Sequence, residues 1–150
     1  NTADVFQYNG TAWTEAGDLN TARTGHAASG IVTAALAFGG NDTPRALTEA
    51  YNGTSWTEVN DLNTARGSLG GVGTQTSSLA FGGSPPNTVN TESWDGTSWT
   101  EVNNLATARR LIGGTGANST AAQSCGGSPA TATTEEFTAP DVIIKTVTDS

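Results

Sequence analysis

Residues 51–66 read YNGTSWTEVNDLNTAR, and the chain says nearly the same thing as YNGTAWTEAGDLNTAR at 8–23 and WDGTSWTEVNNLATAR at 94–109. Trp13, Trp56 and Trp99 are spaced 43 and 43 residues apart, and so are Arg23, Arg66 and Arg109. A glycine doublet recurs at Gly39–Gly40, Gly82–Gly83 and Gly126–Gly127, spaced 43 and then 44. Periods of this size belong to solenoids, propellers and arrays. No 11-residue window carries an apolar stripe at helical spacing, which argues against helical repeats.

Each unit reads as four short strands. The first follows the arginine (Arg66 to Gly73), the second ends in the doublet (Ser78 to Gly83), the third ends at an aromatic (Thr48 to Tyr51), and the fourth starts at the tryptophan (Ser55 to Val59). Third and fourth are joined by Asn9-Gly10, Asn52-Gly53 or Asp95-Gly96, dipeptides suited to the positive φ of a hairpin turn. The first strands (HAASG, GSLGGVG, GGTGA) are small-residue runs, whereas the third and fourth carry Tyr and Trp. Small side chains near an axis and large ones outside match the taper of a β-propeller.

Composition agrees. Only 35% of residues are hydrophobic and 13% charged, and the abundant Gly, Thr, Asn and Ser favour turns and strands over helices. A net charge of -8, with Lys145 the only lysine, repels nucleic acid and anionic lipid. No stretch approaches the roughly 18 apolar residues that span a bilayer. No signal peptide is recognisable, and a start at Asn1 leads us to expect a processed product or part of something longer. The single Cys125 allows no internal disulfide.

The doublet, the aromatic, the tryptophan and the Leu-x-x-x-Arg that opens the next unit resemble the kelch family of β-propeller repeats over residues 3–138. The unit is shorter than the roughly 50 residues of that family. The WD40 period fits better, but Gly25-His26 and Trp94-Asp95 do not recur. The Thr/Asn/Gly-rich wording also resembles the kelch-like repeat regions of tailed-bacteriophage virion proteins, marine ones in particular. The resemblance implies an all-β propeller of four-stranded blades: a half-blade hairpin at 3–16, blades at 23–59 and 66–102, and a blade at 109–138 with a C-terminal strand or arm at 141–148. Val142-Ile143-Ile144 would stand where the last tryptophan strand belongs. Three and a half blades do not close a ring, so completion by identical chains, for example two chains in a six-bladed ring, or by further repeats is expected.

Arg23, Arg66 and Arg109 would stand around one mouth of a central channel, where they could grip an anionic sugar or a carboxylate. Alternatively they bond loop carbonyls or an acidic loop such as Asp61. Tyr8, Trp13, Tyr51, Trp56, Trp94, Trp99 and Phe137 read as blade-packing aromatics. Glu15, Glu58 and Glu101 lie on successive outer strands, too far apart for a paired-carboxylate hydrolase, and read as edge-protecting charges. His26 and Cys125 occupy repeat positions that are otherwise apolar (Leu69 and Ile112; Phe38 and Phe81), so both read as core substitutions. Asp18, Asp61 and Asn104 lack a calcium-loop pattern. No metal or cofactor is expected.

These readings lead to a non-enzymatic structural or adhesive module on a virion or extracellular surface, such as a tail fibre. Loops 41–46 and 84–90 would meet a host-surface glycan or protein. A propeller glycosidase or oxidase, and an intracellular kelch adaptor, are the alternatives.

Overall fold

The computed structural model describes residues 2–42, 46–130, 132–139 and, by backbone alone, 145–147. Threonine, valine and aromatic residues suit a pleated backbone, and the glycine-containing turns interrupt it every few residues. The N-terminal hairpin pairs β1 (Phe6–Tyr8) with β2 (Trp13–Glu15). The first blade comprises β3 (Ala27–Ile31), β4 (Ala34–Phe38), β5 (Thr48–Tyr51) and β6 (Trp56–Val59). The second comprises β7 (Gly70–Thr74), β8 (Ser77–Phe81), β9 (Thr91–Trp94) and β10 (Trp99–Val102). The third comprises β11 (Gly113–Asn118), β12 (Ala121–Cys125), β13 (Thr134–Thr138) and β14 (Lys145–Val147). Within each sheet every strand is antiparallel to its neighbour in sequence, so each four-stranded sheet is an up-and-down meander, the build of a propeller blade. The chain is thus an all-β propeller arc of three and a half blades.

Successive blades pack face to face, with β3 beside β7 and β7 beside β11. Leu36 and Phe38 of the first blade are buried against Leu69, Ala80, Trp94 and Trp99 of the second. Leu79 and Phe81 of the second meet Ile112, Ala122 and Phe137 of the third. Each fully buried Leu or Phe contributes about 1.5–3 kcal/mol, so the core lies between blades rather than within one. Small residues permit this closeness: a Cβ on Gly71 would fall 2.6 Å from the Phe38 ring.

The doublet joins blades. Its first glycine takes φ of +72, +61 or +65° at Gly39, Gly82 and Gly126, which turns the chain out of the second strand. The amide of its second glycine reaches the next blade, Gly40 donating to the Arg66 carbonyl at 3.0 Å and Gly83 to that of Arg109 at 2.9 Å. Beyond each arginine, repeat-equivalent residues Gly25, Ser68 and Leu111 all adopt positive φ (62, 52 and 54°). Ser68 donates to the Gly25 carbonyl and Leu111 to that of Ser68, each at 2.7 Å. Residues 66–69 are therefore a blade-linking loop, and β7 starts at Gly70 rather than directly after Arg66.

The 44-residue spacing in the last unit is absorbed as a register shift between Gly116 and Asn118, where one extra residue bulges from the ladder. The fourth strand of that blade is β14, with Thr134 opposite Val147. Val142-Ile143-Ile144 lie outside the described residues.

Candidate functional site

The polar side chains that recur with the period converge on the loops crossing from one blade to the next. Glu49, Glu92 and Glu135 each occupy the second position of the third strand, between a threonine and the residue before the aromatic. Alternation on a strand puts them on the same face as that aromatic, and burial leaves them 1%, 1% and 3% exposed. Glu49 accepts from the Asn20 amide at 2.7 Å, the Asn20 side-chain amide at 2.9 Å and the Thr21 amide at 3.3 Å. Its Oε1 also meets an Arg23 guanidinium nitrogen at 2.7 Å. Glu92 repeats the pattern with Asn63, Thr64 and Arg66. Glu135 keeps the Ala106 amide at 2.6 Å and Arg109 at 2.5 Å, without the asparagine side chain that Ala106 replaces.

Each arginine also donates to carbonyls around it: Arg23 to Leu47 at 2.8 Å, Arg66 to Thr64 at 3.2 Å, and Arg109 to Thr133 at 3.0 Å. Burial pushes the Arg23 pKa below its usual value, and the Glu49 carboxylate opposes that shift. The guanidinium is held by its carboxylate and the surrounding carbonyls, so the group is a staple between a crossing loop and the blade it enters. The channel-mouth reading of Arg23, Arg66 and Arg109 is corrected accordingly. All three are buried, at 5%, 1% and 0% exposure, because the crossing loop folds them inward onto a glutamate, and none presents a free fork to a ligand. Their partner is not the Asp61 loop either, since the Asp61 carboxylate accepts from the Thr48 amide at 3.0 Å. The glutamates escaped the sequence reading, although Thr-Glu recurring at 43-residue spacing ahead of an aromatic was the signal for them.

The aromatics divide by position in the arc. Tyr51, Trp94 and Trp99 are buried, and Trp56 and Phe137 are half-buried. Trp99 lies 4.9 Å from the Phe38 ring and donates to the Thr48 hydroxyl, both in the preceding blade. Trp56 donates to the Gly17 carbonyl and Trp94 to that of Gln75. Tyr8 and Trp13 pair with each other at 5.3 Å, yet they stand 48% and 68% exposed.

His26 and Cys125 are not core residues; both are exposed. Their equivalents Leu69, Ile112, Phe38 and Phe81 are buried because each faces a neighbouring blade. His26 instead lies beside the N-terminal hairpin, which brings no inner strands, and Cys125 lies on the far face of the third blade. Crowding by the protein, then the nearby Arg23 charge, holds the His26 pKa below its ordinary value. Glu15, Glu58 and Glu101 are exposed on β2, β6 and β10. Asp18 and Asn104 accept from the Val5 and Thr91 amides as Asp61 does from Thr48, so these side chains pin strands. No group of three or more His, Cys, Asp or Glu side chains suited to a metal occurs among the described residues.

Two surfaces remain. The loops between second and third strands share one end of the arc with the crossing loops. Thr24 donates to Asp42, and Asn87 reaches the Ser128 carbonyl of the next blade; residues 43–45 of loop 41–46 lie outside the described residues. The second surface is an open groove of about 710 Å³ beside the N-terminal hairpin, where Tyr8, Trp13, His26, Ala35, Ala37 and Trp56 converge.

No protein-family model and no curated protein matches the chain. Among solved structures, one titled "Structure of YjhT" superposes with a TM-score of 0.76 at 13% identity. The match covers 97% of this chain and 52% of that one, so this chain spans about half of its length. At that identity the likeness is one of fold, and it supports the propeller arc described above.

Proposed function

We propose that the chain is a non-enzymatic structural or adhesive module, an arc of kelch-like blades that holds loops of differing sequence at one rim. The observation that carries this reading is the burial of all three Arg–Glu pairs. The recurring arginines and the glutamates they meet hold the crossing loops to the blades, which leaves the framework rigid and the rim loops free to vary. Loop 84–90 (SPPNTVN) and its equivalent 128–133 (SPATAT) differ in length and wording on nearly identical scaffolds. A host-surface glycan or protein is the partner such a rim would meet, on a virion or tail-fibre surface. The arc is completed by identical chains or by additional repeats of a longer parent chain.

Replacing loop 84–90 by residues 128–133 tests the reading. Binding to immobilised host glycans or to whole cells is expected to fall at least tenfold while the thermal midpoint holds within a few degrees. Binding unchanged by the exchange removes the rim loops from the proposal.

A further inference from the structure

The groove beside the N-terminal hairpin has two filled counterparts in the same molecule, and they describe what it takes. In the first blade β5 is paired on both edges: Tyr51 with Trp56 on one side, and Tyr51 with Ala35 and Thr48 with Phe38 on the other. In the second, β9 likewise lies between β10 and β8. β1 is the equivalent of β5 and β9, yet among the described residues it pairs with β2 alone. The opposite wall of the groove is the face of the first blade formed by Ala35, Ala37, Tyr51 and Trp56. Its equivalents in the second blade, Ser78, Ala80, Trp94 and Trp99, receive Leu36 and Phe38 from the preceding inner strands.

We infer that this groove is a docking site for one kind of segment, a two-stranded β-hairpin of the chain's own inner type. Such a hairpin has a small-residue strand, a short turn, and a second strand reading Ser/Ala-Leu-Ala-Phe-Gly-Gly. Its second strand hydrogen-bonds to the open edge of β1, while its Leu and Phe pack on Tyr51 and Trp56 of the first blade, as Leu36 and Phe38 pack on Trp94 and Trp99. The inference rests on the reading of the chain as an incomplete arc, and it chooses among the ways of completing it.

A second copy of the chain is a poor occupant. Its third blade already has all four strands paired, leaving no hairpin to donate. The outward face of that blade carries Gln123 and Cys125 where the first two blades carry Leu36 or Leu79 and Phe38 or Phe81. A polar outer face suits contact with water, and covering it with another copy would desolvate both Gln123 and the Glu136 carboxylate to which it donates at 2.9 Å.

The groove also specifies one departure from the repeat. The glutamate that holds each blade's arginine, Glu49 in the first blade, is Phe6 at the equivalent position of β1. An arginine opening the docked hairpin would be buried with no carboxylate to meet it, which costs far more than a buried apolar group. The natural occupant therefore has an uncharged residue at its arginine position.

The test uses a synthetic peptide of residues 66–85, which contains no tryptophan, and the same peptide carrying Arg66→Leu. Added to the whole chain, the Arg66→Leu form is expected to shift tryptophan emission to the blue in a saturable titration and to slow amide exchange at Phe6–Tyr8. The unaltered peptide is expected to bind at least tenfold more weakly, and Trp56→Ala in the chain to weaken both. Joining the Arg66→Leu hairpin ahead of residue 1 by a flexible linker removes the entropy of association. That fusion is expected to show the same protection and a raised thermal midpoint. A fusion with neither change overturns the inference, as does equal binding of a scrambled peptide. A saturable self-association that alone protects Phe6–Tyr8 overturns it in favour of a second copy. Loss of adhesion on loop exchange affects none of these readouts, so the two proposals fail separately.

Discussion

Trp99 and Trp13 stand at the same place in nearly identical phrases, and they live in opposite surroundings. Trp99 is 5% exposed, wedged against Phe38 of the blade before it, while Trp13 is 68% exposed beside a groove. Local geometry does not distinguish them. Each follows a hairpin turn whose Asn9 or Asp95 side chain caps it at about the same distances, and each meets its cross-strand aromatic in a tilted pair at 5.3 Å. What differs is the preceding blade: the inner strands β3 and β4 cover Trp99, and among the described residues no blade precedes Trp13. In a repeat protein, burial is conferred by the neighbour, so one side chain serves as core in one unit and as an open surface in another.

The largest effect is expected from breaking a staple in the interior of the arc. Arg66→Ala leaves Glu92 buried and unpaired, and should cost about 3–5 kcal/mol in equilibrium urea unfolding. A cost below 1 kcal/mol would show that the ion pair does not hold the crossing loop. The tryptophan comparison comes next. Trp99→Ala should cost about 3–5 kcal/mol as a cavity opens against Phe38, whereas Trp13→Ala should stay within about 0.5 kcal/mol, as exposed substitutions do. Similar costs at both positions would mean that the hairpin aromatics are already covered.

Glycines in the inner strands sharpen the same contrast. Gly71→Ala drives a methyl to within 2.6 Å of the Phe38 ring and should destabilise by about 1–3 kcal/mol through overpacking. At Gly113, on the exposed strand of the third blade, the nearest atom to an added Cβ is the Cys125 sulfur at 3.1 Å, so the same change should be nearly neutral. Thermal midpoints of the two variants compare them directly.

The smallest effect concerns His26. Its pKa is lowered in the folded chain, chiefly by partial loss of hydration and secondly by Arg23, with Glu49 opposing. The unfolded chain therefore binds the proton more readily, and stability is fully present above the ordinary value near 6.5 and declines as pH falls through it. The exposure of the ring keeps the change modest. His26→Leu, which installs the residue found at position 69, should flatten the stability profile between pH 7 and 5; an unchanged slope would assign it to other groups.

Much of the architecture was legible from the amino-acid order alone. The 43-residue period, four strands per unit, hairpins at Asn-Gly and Asp-Gly, and the count of three and a half units all follow from local preferences repeated along the chain. Turn chemistry and strand alternation act over a few residues, and repetition made their signal unmistakable. Tertiary structure alone decided which groups meet. Each arginine reaches a glutamate 26 residues away, and Ser68 and Leu111 take a backbone conformation usual for glycine so that successive loops can bond. His26 and Cys125 lie in the open although their repeat equivalents are core. Proximity across blades depends on how the units stack, so one repeat position is core where a neighbouring blade covers it and open where, among the described residues, none does.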